Sequence, residues 1–197
     1  MVIIYLFRHG RTALNASGLL RGHLDEPLDN VGQLEALRLA SLFAQIHLDN
    51  ILSSPLSRSL DTARAIARPH KLPVVVDPAF IDRDYGPWAG KSRDEVERRY
   101  GSLDGAPSGE IEAVPKFEHR VVTALKSLVS QFSGKTIAIV GHDAVNRAII
   151  RLVCEEWQDR SADLPQPTGC WNRLITGPRN VVCDVVGAIP DNGIRPL

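Results

Sequence analysis

The chain has 197 residues, a length that predicts one domain with a sizeable core. Hydrophobic residues make up 44% and charged residues 23%, a globular balance that excludes a disordered chain. The 23 Lys and Arg are matched by 23 Asp and Glu, so net charge is zero. That excludes a strong overall field for nucleic acid or an anionic membrane.

Val2 to Phe7 is a short apolar run, as expected of a strand buried on both faces. Apolar spacing predicts a helix over Gly32 to Ile46. Asn50 to Ser53 reads as a second strand, and Ser57 to Ala67 as a helix stopped by Pro69. Leu72 to Val76 reads as a strand and Asp94 to Tyr100 as a helix. Asp104 to Pro115 carries Gly105, Pro107, Gly109 and Pro115 and reads as loop. Lys116 to Phe132 reads as a helix, Thr136 to Val140 as a buried strand and Ala144 to Val153 as a helix. Trp171 to Ile175 and Val181 to Val186 are expected to close the fold as strands. Alternating strands and helices predict an α/β fold of three layers, α/β/α, with a mostly parallel central sheet. The expected organisation is a single domain over 1–197, with a short cap or loop segment at about 91–115.

The cysteines, Cys154, Cys170 and Cys183, are odd in number and show no C-x-x-C spacing. Reduced, mostly buried thiols are expected, not a disulfide framework or a zinc site. No run approaches the ~18 apolar residues of a membrane helix. The apolar start ends at Arg8-His9 and lacks a signal peptide's long apolar region, so a cytoplasmic location is expected. Arg outnumbers Lys 18 to 5. That excess reads either as compositional bias or as bidentate phosphate clamps.

Ligands of α/β folds gather at the carboxyl ends of strands. The ends of three predicted strands carry Arg8-His9-Gly10, Pro55 to Arg58, and Gly141-His142. Each is weak alone. Together they place two histidines and two arginines where chemistry is expected.

The string Leu6 to Asn15 (LFRHGRTALN) resembles the signature of the histidine phosphatase superfamily, the phosphoglycerate-mutase-like proteins. Four further segments continue the resemblance in order: Gly22, Asp25, Pro27-Leu28 and Gly32; Ser53 to Ser59 with Thr62-Ala63; Gly86 to Gly90; and Val140-Gly141-His142. It spans roughly residues 3 to 185. The resemblance implies that His9 is a nucleophile forming a phosphohistidine. Arg8 and Arg58 would bind phosphate oxygens in fork geometry, and His142 would donate to the transferring group. Gly10 would allow close backbone approach and an unusual turn. Asn15 would touch the phosphoryl group, or else cap its own loop. No metal and no cofactor is implied. Arg11 and Arg21, near the mouth, either steer phosphate or are solvated. Trp88 reads as core under the site, Arg147 as an ion-pair partner, and His23, His47, His70 and His119 as structural or surface residues.

One departure matters. The family's acid is usually a Glu four residues before the Gly of G-x-W, and here that position is Asp82. The alternatives are Asp84, or no side-chain acid from this segment. An Asp must be raised by burial or a neighbouring carboxylate to give a proton near pH 7. Arg83 and Tyr85 match the E-R-x-Y-G of the cofactor-dependent mutases, where they help hold the glycerate. The short segment from Lys91 to Val114 favours a compact phosphatase. The expectation is a metal-independent phosphomonoesterase with a small phosphorylated substrate, as monomer or homodimer, without nucleic acid or membrane partners. The alternatives are a phosphoglycerate mutase and a non-catalytic phospho-ligand binder; the latter rests on Asp82 and on Ala89 where the family usually has Glu.

Overall fold

The computed structural model describes residues 1–107, 109–158, 163–177, 180–191 and 193–196. Its centre is β1 (Ile3–Arg8), flanked by β4 (Thr136–Gly141) and β5 (Trp171–Thr176). With β2 (Asn50–Ser53), β3 (Val74–Val76) and β6 (Val181–Ala188) it forms a six-stranded sheet of order β3-β2-β4-β1-β5-β6. The first four strands in that order are parallel; β5 runs antiparallel to β1, and β6 antiparallel to β5. This is the expected α/β architecture with a mostly parallel sheet.

Alternation along the strands feeds two cores. Tyr5, Phe7, Ala138 and Val140 face Leu39 and Phe43 of α2 (Asn30–Phe43) and Ala63 and Ile66 of α3 (Ser57–His70). Ile4, Leu6, Ile137 and Ile139 face Phe117, Val121 and Leu125 of α5 (Val114–Gln131) and Val145 and Ile149 of α6 (Asp143–Val153). The short α1 (Ala13–Ala16) follows β1, and Thr12 and Asn15 close a reciprocal capping box on it. A third, smaller cluster joins Leu20, Trp88, Leu103 and Ile111 to Val96 of α4 (Arg93–Tyr100). Trp88 is core there, as expected.

Three local expectations are corrected. Pro69 does not stop α3: it sits inside the last turn, and the helix ends at Lys71 in the left-handed region (φ 57°). Pro115 belongs to α5, because a proline in a first turn removes an N–H that has no helical partner anyway. The segment before it, within which Ser108 lies outside the described residues, also includes one 3₁₀ turn, Leu103–Gly105.

The cysteines are corrected as well. Cys154 follows α6, Cys183 lies in β6, and the two form a disulfide with Cα atoms 6.1 Å apart. Nothing in their spacing signals this, since the pairing is made by α6 packing back on the sheet. Cys170 is the free, buried thiol, pushed up to about 12 chiefly by burial. Among the described residues no helix is long and apolar enough to cross a membrane.

The cross-link spans 29 residues of sequence. In the chain-entropy account a loop of that size is worth about 3–4 kcal/mol. Replacing both cysteines, Cys154→Ser with Cys183→Ser, is therefore expected to lower the melting temperature by roughly 6–16 °C. Calorimetry with and without reductant checks this; a reductant-insensitive midpoint in the wild type would refute it.

Candidate active site

The sheet register sets the geometry. Arg8 lies opposite Gly141, and Ser53 opposite Val140, so β1, β4 and β2 end in one row. His9, His142 and Ser54 follow directly from that row. Arg58 enters from the first turn of α3, and Asp82 from the loop that follows β3.

His9 is fully buried. Its Nδ1 lies 2.7 Å from the Gly10 carbonyl oxygen, which can only accept. Nδ1 therefore carries the proton and Nε2 the lone pair. Nε2 is buried without a hydrogen-bond partner. Burial, then the charges of Arg58 and Arg8, hold the imidazole well below its ordinary value of 6.5, so it is neutral. The His142 ring lies 5.2 Å from that of His9, centroid to centroid. It too is buried and held well below 6.5, by burial and then Arg58. Its Nε2 is 2.7 Å from Ser54 Oγ, and the Leu56 N–H approaches that hydroxyl oxygen at 3.4 Å. Ser59 Oγ also approaches Nε2, at 3.4 Å; with a hydroxyl donating to Nε2, Nδ1–H is the donor that remains.

Arg58 is fully buried. Its Nη1 donates to Leu24 O at 2.7 Å, and its Nη2 to Gly22 O at 2.9 Å and to Asp82 Oδ2 at 3.4 Å. Arg8 donates from Nη1 to Gln166 O. The Nε atoms of both arginines are buried without partners. The Asp82 carboxyl is buried, accepts from Arg83 N at 2.9 Å, and lies 3.8 Å from His142 Nδ1. Burial raises its pKa above the ordinary 3.8, against the pull of Arg58 and Arg21. An aspartate in this place therefore holds its proton to higher pH than a solvated one.

Gly10 makes the close approach: a Cβ there would meet Gly32 O at 2.4 Å. The unusual turn is corrected, because Gly10 has no left-handed φ. Its N–H donates to Thr62 Oγ1 at 3.1 Å. The Asn15 amide oxygen accepts from Thr12 N at 3.1 Å and Thr12 Oγ1 at 2.9 Å, which is the loop-capping role. Arg83 donates from Nε to Glu112 O at 2.8 Å, and the Tyr85 hydroxyl is pushed up by burial. Both line a cleft of about 480 Å³ beside Asp143, with Arg93, Arg147 and Arg151. Arg147 pairs with Asp143 at 2.6 Å and Arg11 with Asp29 at 2.8 Å. Asp84 is half-exposed, its carboxylate 3.7 Å from His23 Nδ1. Among the described residues no group of three or more His, Cys, Asp and Glu is placed to hold a metal ion.

Sequence reasoning missed two supports. Ser54 orients His142, and its place in the S-S-P-L segment was the available signal. Arg120 of α5 had none: it donates to the carbonyls of Ala79, Ile81 and Asp82 at 2.8–2.9 Å while its Nε and Nη2 pair with Glu112. His23 Nε2 adds a second donor to Asp82 O at 2.9 Å.

A buried histidine pair set among arginines, at the carboxyl edge of such a sheet, defines a phosphoryl-handling class of protein. The sequence profile of the histidine phosphatase superfamily (branch 1) matches residues 4–188, and the chain belongs to that family. Phosphoserine phosphatase 1 of Hydrogenobacter thermophilus is 31% identical over 157 residues, covering 76% of this chain and 74% of its own. Phosphoglycerate mutase-like protein 4 of Arabidopsis thaliana is 32% identical over 157 residues, covering 74% and 68%. The Bacillus stearothermophilus YhfR structure superposes with a TM-score of 0.87 at 24% identity, over 96% of this chain and 98% of that one.

Arg120→Gln removes the clamp on the Asp82 segment and leaves Glu112 partly buried without its cation. It is expected to cost about 2–4 kcal/mol in urea unfolding. A loss below about 0.5 kcal/mol would show that the segment is held by other contacts.

Proposed function

We propose that the chain is a metal-independent phosphomonoesterase that acts through a phosphohistidine on His9. The observation that carries this reading is His9 itself, a neutral imidazole with its proton fixed on Nδ1 and an unpartnered Nε2 beside two guanidiniums. Nε2 attacks phosphorus in line, the bond to the ester oxygen breaks, and the leaving alkoxide takes the proton of Asp82. Water then attacks the phosphohistidine, gives its proton to the Asp82 carboxylate, and inorganic phosphate leaves. Arg8, Arg58 and His142 Nδ1–H hold the phosphoryl oxygens as charge shifts onto them. The backbone at Gly10 keeps His9 close to the start of α2, and the Asn15 amide group reaches the phosphoryl group with its N–H. Arg83 and Tyr85 bind the leaving alcohol in the adjoining cleft. The unit of folding is one domain, with 91–115 as a short cap over the site.

The substrate is a small phosphorylated molecule. Relatives named for phosphoserine and for phosphoglycerate support that size class. The mutase reading is favoured by one observation, the placement of Arg83 and Tyr85 on the cleft. The binder reading is weakened by Asp82, which is buried against Arg58 and carries a raised pKa, as a proton donor requires.

Phosphate release from a panel of phosphomonoesters in chelator tests the proposal. Wild type is expected to turn over and His9→Ala to be inactive; release that survives His9→Ala would sink it. Interconversion of phosphoglycerates without net phosphate release would favour the mutase.

The pH profile has a defined sign. Activity needs neutral His9, whose pKa is held well below 6.5, so the acid limb lies well below 6.5 and activity falls there as pH drops. It also needs protonated Asp82, whose pKa lies above 3.8, so the alkaline limb falls as pH rises through it. In Asp82→Asn the alkaline limb is expected to disappear. Its kcat should fall about 10²–10⁴-fold for alkyl esters and much less for nitrophenyl phosphate, whose leaving group needs no proton. An unchanged profile would remove Asp82 from the mechanism.

A further inference from the structure

Among the buried side-chain nitrogens without hydrogen-bond partners are Arg8 Nε, His9 Nε2, Arg58 Nε, His142 Nδ1 and Arg21 Nε. Four belong to the residues already described. Arg21 is the fifth, and no part of the mechanism above uses it.

Its backbone is held on both sides. Leu20 donates its N–H to Lys91 O and accepts from the Gly90 N–H, both at 2.8 Å. Gly22 gives its carbonyl to Arg58 Nη2 at 2.9 Å. Gly22 also sits at a left-handed φ of 51°, where a Cβ would meet Arg83 O and Tyr85 N at 3.0 Å. These anchors fix where the Arg21 side chain leaves the backbone. The Arg21 guanidinium is tethered lightly by Nη1 to Leu19 O at 3.3 Å, and its Nε is buried without a partner. Its charge acts on Arg8 at the end of β1, His9 after it, Arg58 on α3, Asp82, and His142 at the start of α6. Asp143 is the acidic group that faces the same cluster, acting on both Arg8 and Asp82.

We propose that Arg21 is a third phosphoryl-binding arginine, which reaches the transferred group from the segment whose next residue, Gly22, holds Arg58. This rests on the phosphoryl-site reading above. Three cations then surround two neutral imidazoles, more positive charge than two arginines supply to a phosphoryl dianion. The stated contact is a charge-assisted hydrogen bond from a planar fork, and a lysine reproduces its charge but not its fork.

The test measures orthovanadate and inorganic phosphate binding by calorimetry, on wild type, Arg21→Gln and Arg21→Lys, beside turnover of nitrophenyl phosphate. Arg21→Gln is expected to weaken phosphate about 10- to 100-fold, with the melting temperature held. Both limbs of its pH profile should move to higher pH. Loss of a nearby cation makes protonated His9 easier to form and ionised Asp82 harder. Arg21→Lys should restore the limbs and only part of the affinity. Phosphate affinity and pH limbs unchanged in Arg21→Gln would overturn the proposal, as would a wild type that binds neither anion. Binding without turnover in the wild type would instead remove the phosphatase reading and leave the role of Arg21 to be read from the affinities.

Discussion

The site depends on two imidazoles being kept neutral inside a cationic cavity. Burying a charged imidazole is expensive, and a neighbouring guanidinium makes it more so. Arg58 and Arg8 therefore do two things at once. They offer charge to an anion, and they guarantee that His9 has a lone pair to use. Guanidinium suits this duty because it does not give up its proton when buried. The Asp82 carboxyl meets the opposite balance, where desolvation outweighs the pull of the arginines and the acid stays protonated to higher pH.

Such a cluster has to be held by groups outside it. Arg58 spends its two Nη atoms on the carbonyls of Gly22 and Leu24 and on Asp82, which ties the entry loop to α3. Arg120 and His23 fix the acid segment from the backbone side. Under Arg8, Gln166 bonds Asn146 and Asn172 in a buried amide network that supports the start of β5. Side chains without unmet needs surround the few nitrogens that have them, and that contrast gives the site its direction.

Much of this was legible in the chain. The strands ending near Phe7 and Val140 were readable as short apolar runs, and the shorter Asn50–Ser53 as a strand between two helical stretches. The parallel register then brought Arg8, His9, Arg58 and His142 together. Asp82 was found by counting back from a glycine, although its burial was not visible. What escaped reading was tertiary. Arg120 looks like any helix-surface arginine until α5 docks on the Asp82 segment. The Cys154–Cys183 pair has no local spacing to announce it. Pro69 and Pro115 carried the right chemistry but the wrong inference, since both prolines sit within the end turns of helices.

The contact between Gly10 and Gly32 works in both directions. A side chain on Gly10 would strike Gly32 O at 2.4 Å, and one on Gly32 would strike Arg11 O at 2.0 Å. The two glycines are therefore halves of one interface, in which the backbone after the nucleophile rests on the first turn of α2. Once either is replaced the two backbones must part, and the second replacement finds the contact already gone. Their energetic effects are coupled and fall short of a sum, as expected of neighbours that share a partner. Neither position can drift first as a neutral step toward the other, so in any lineage that keeps this nucleophile the pair is expected to remain glycine together.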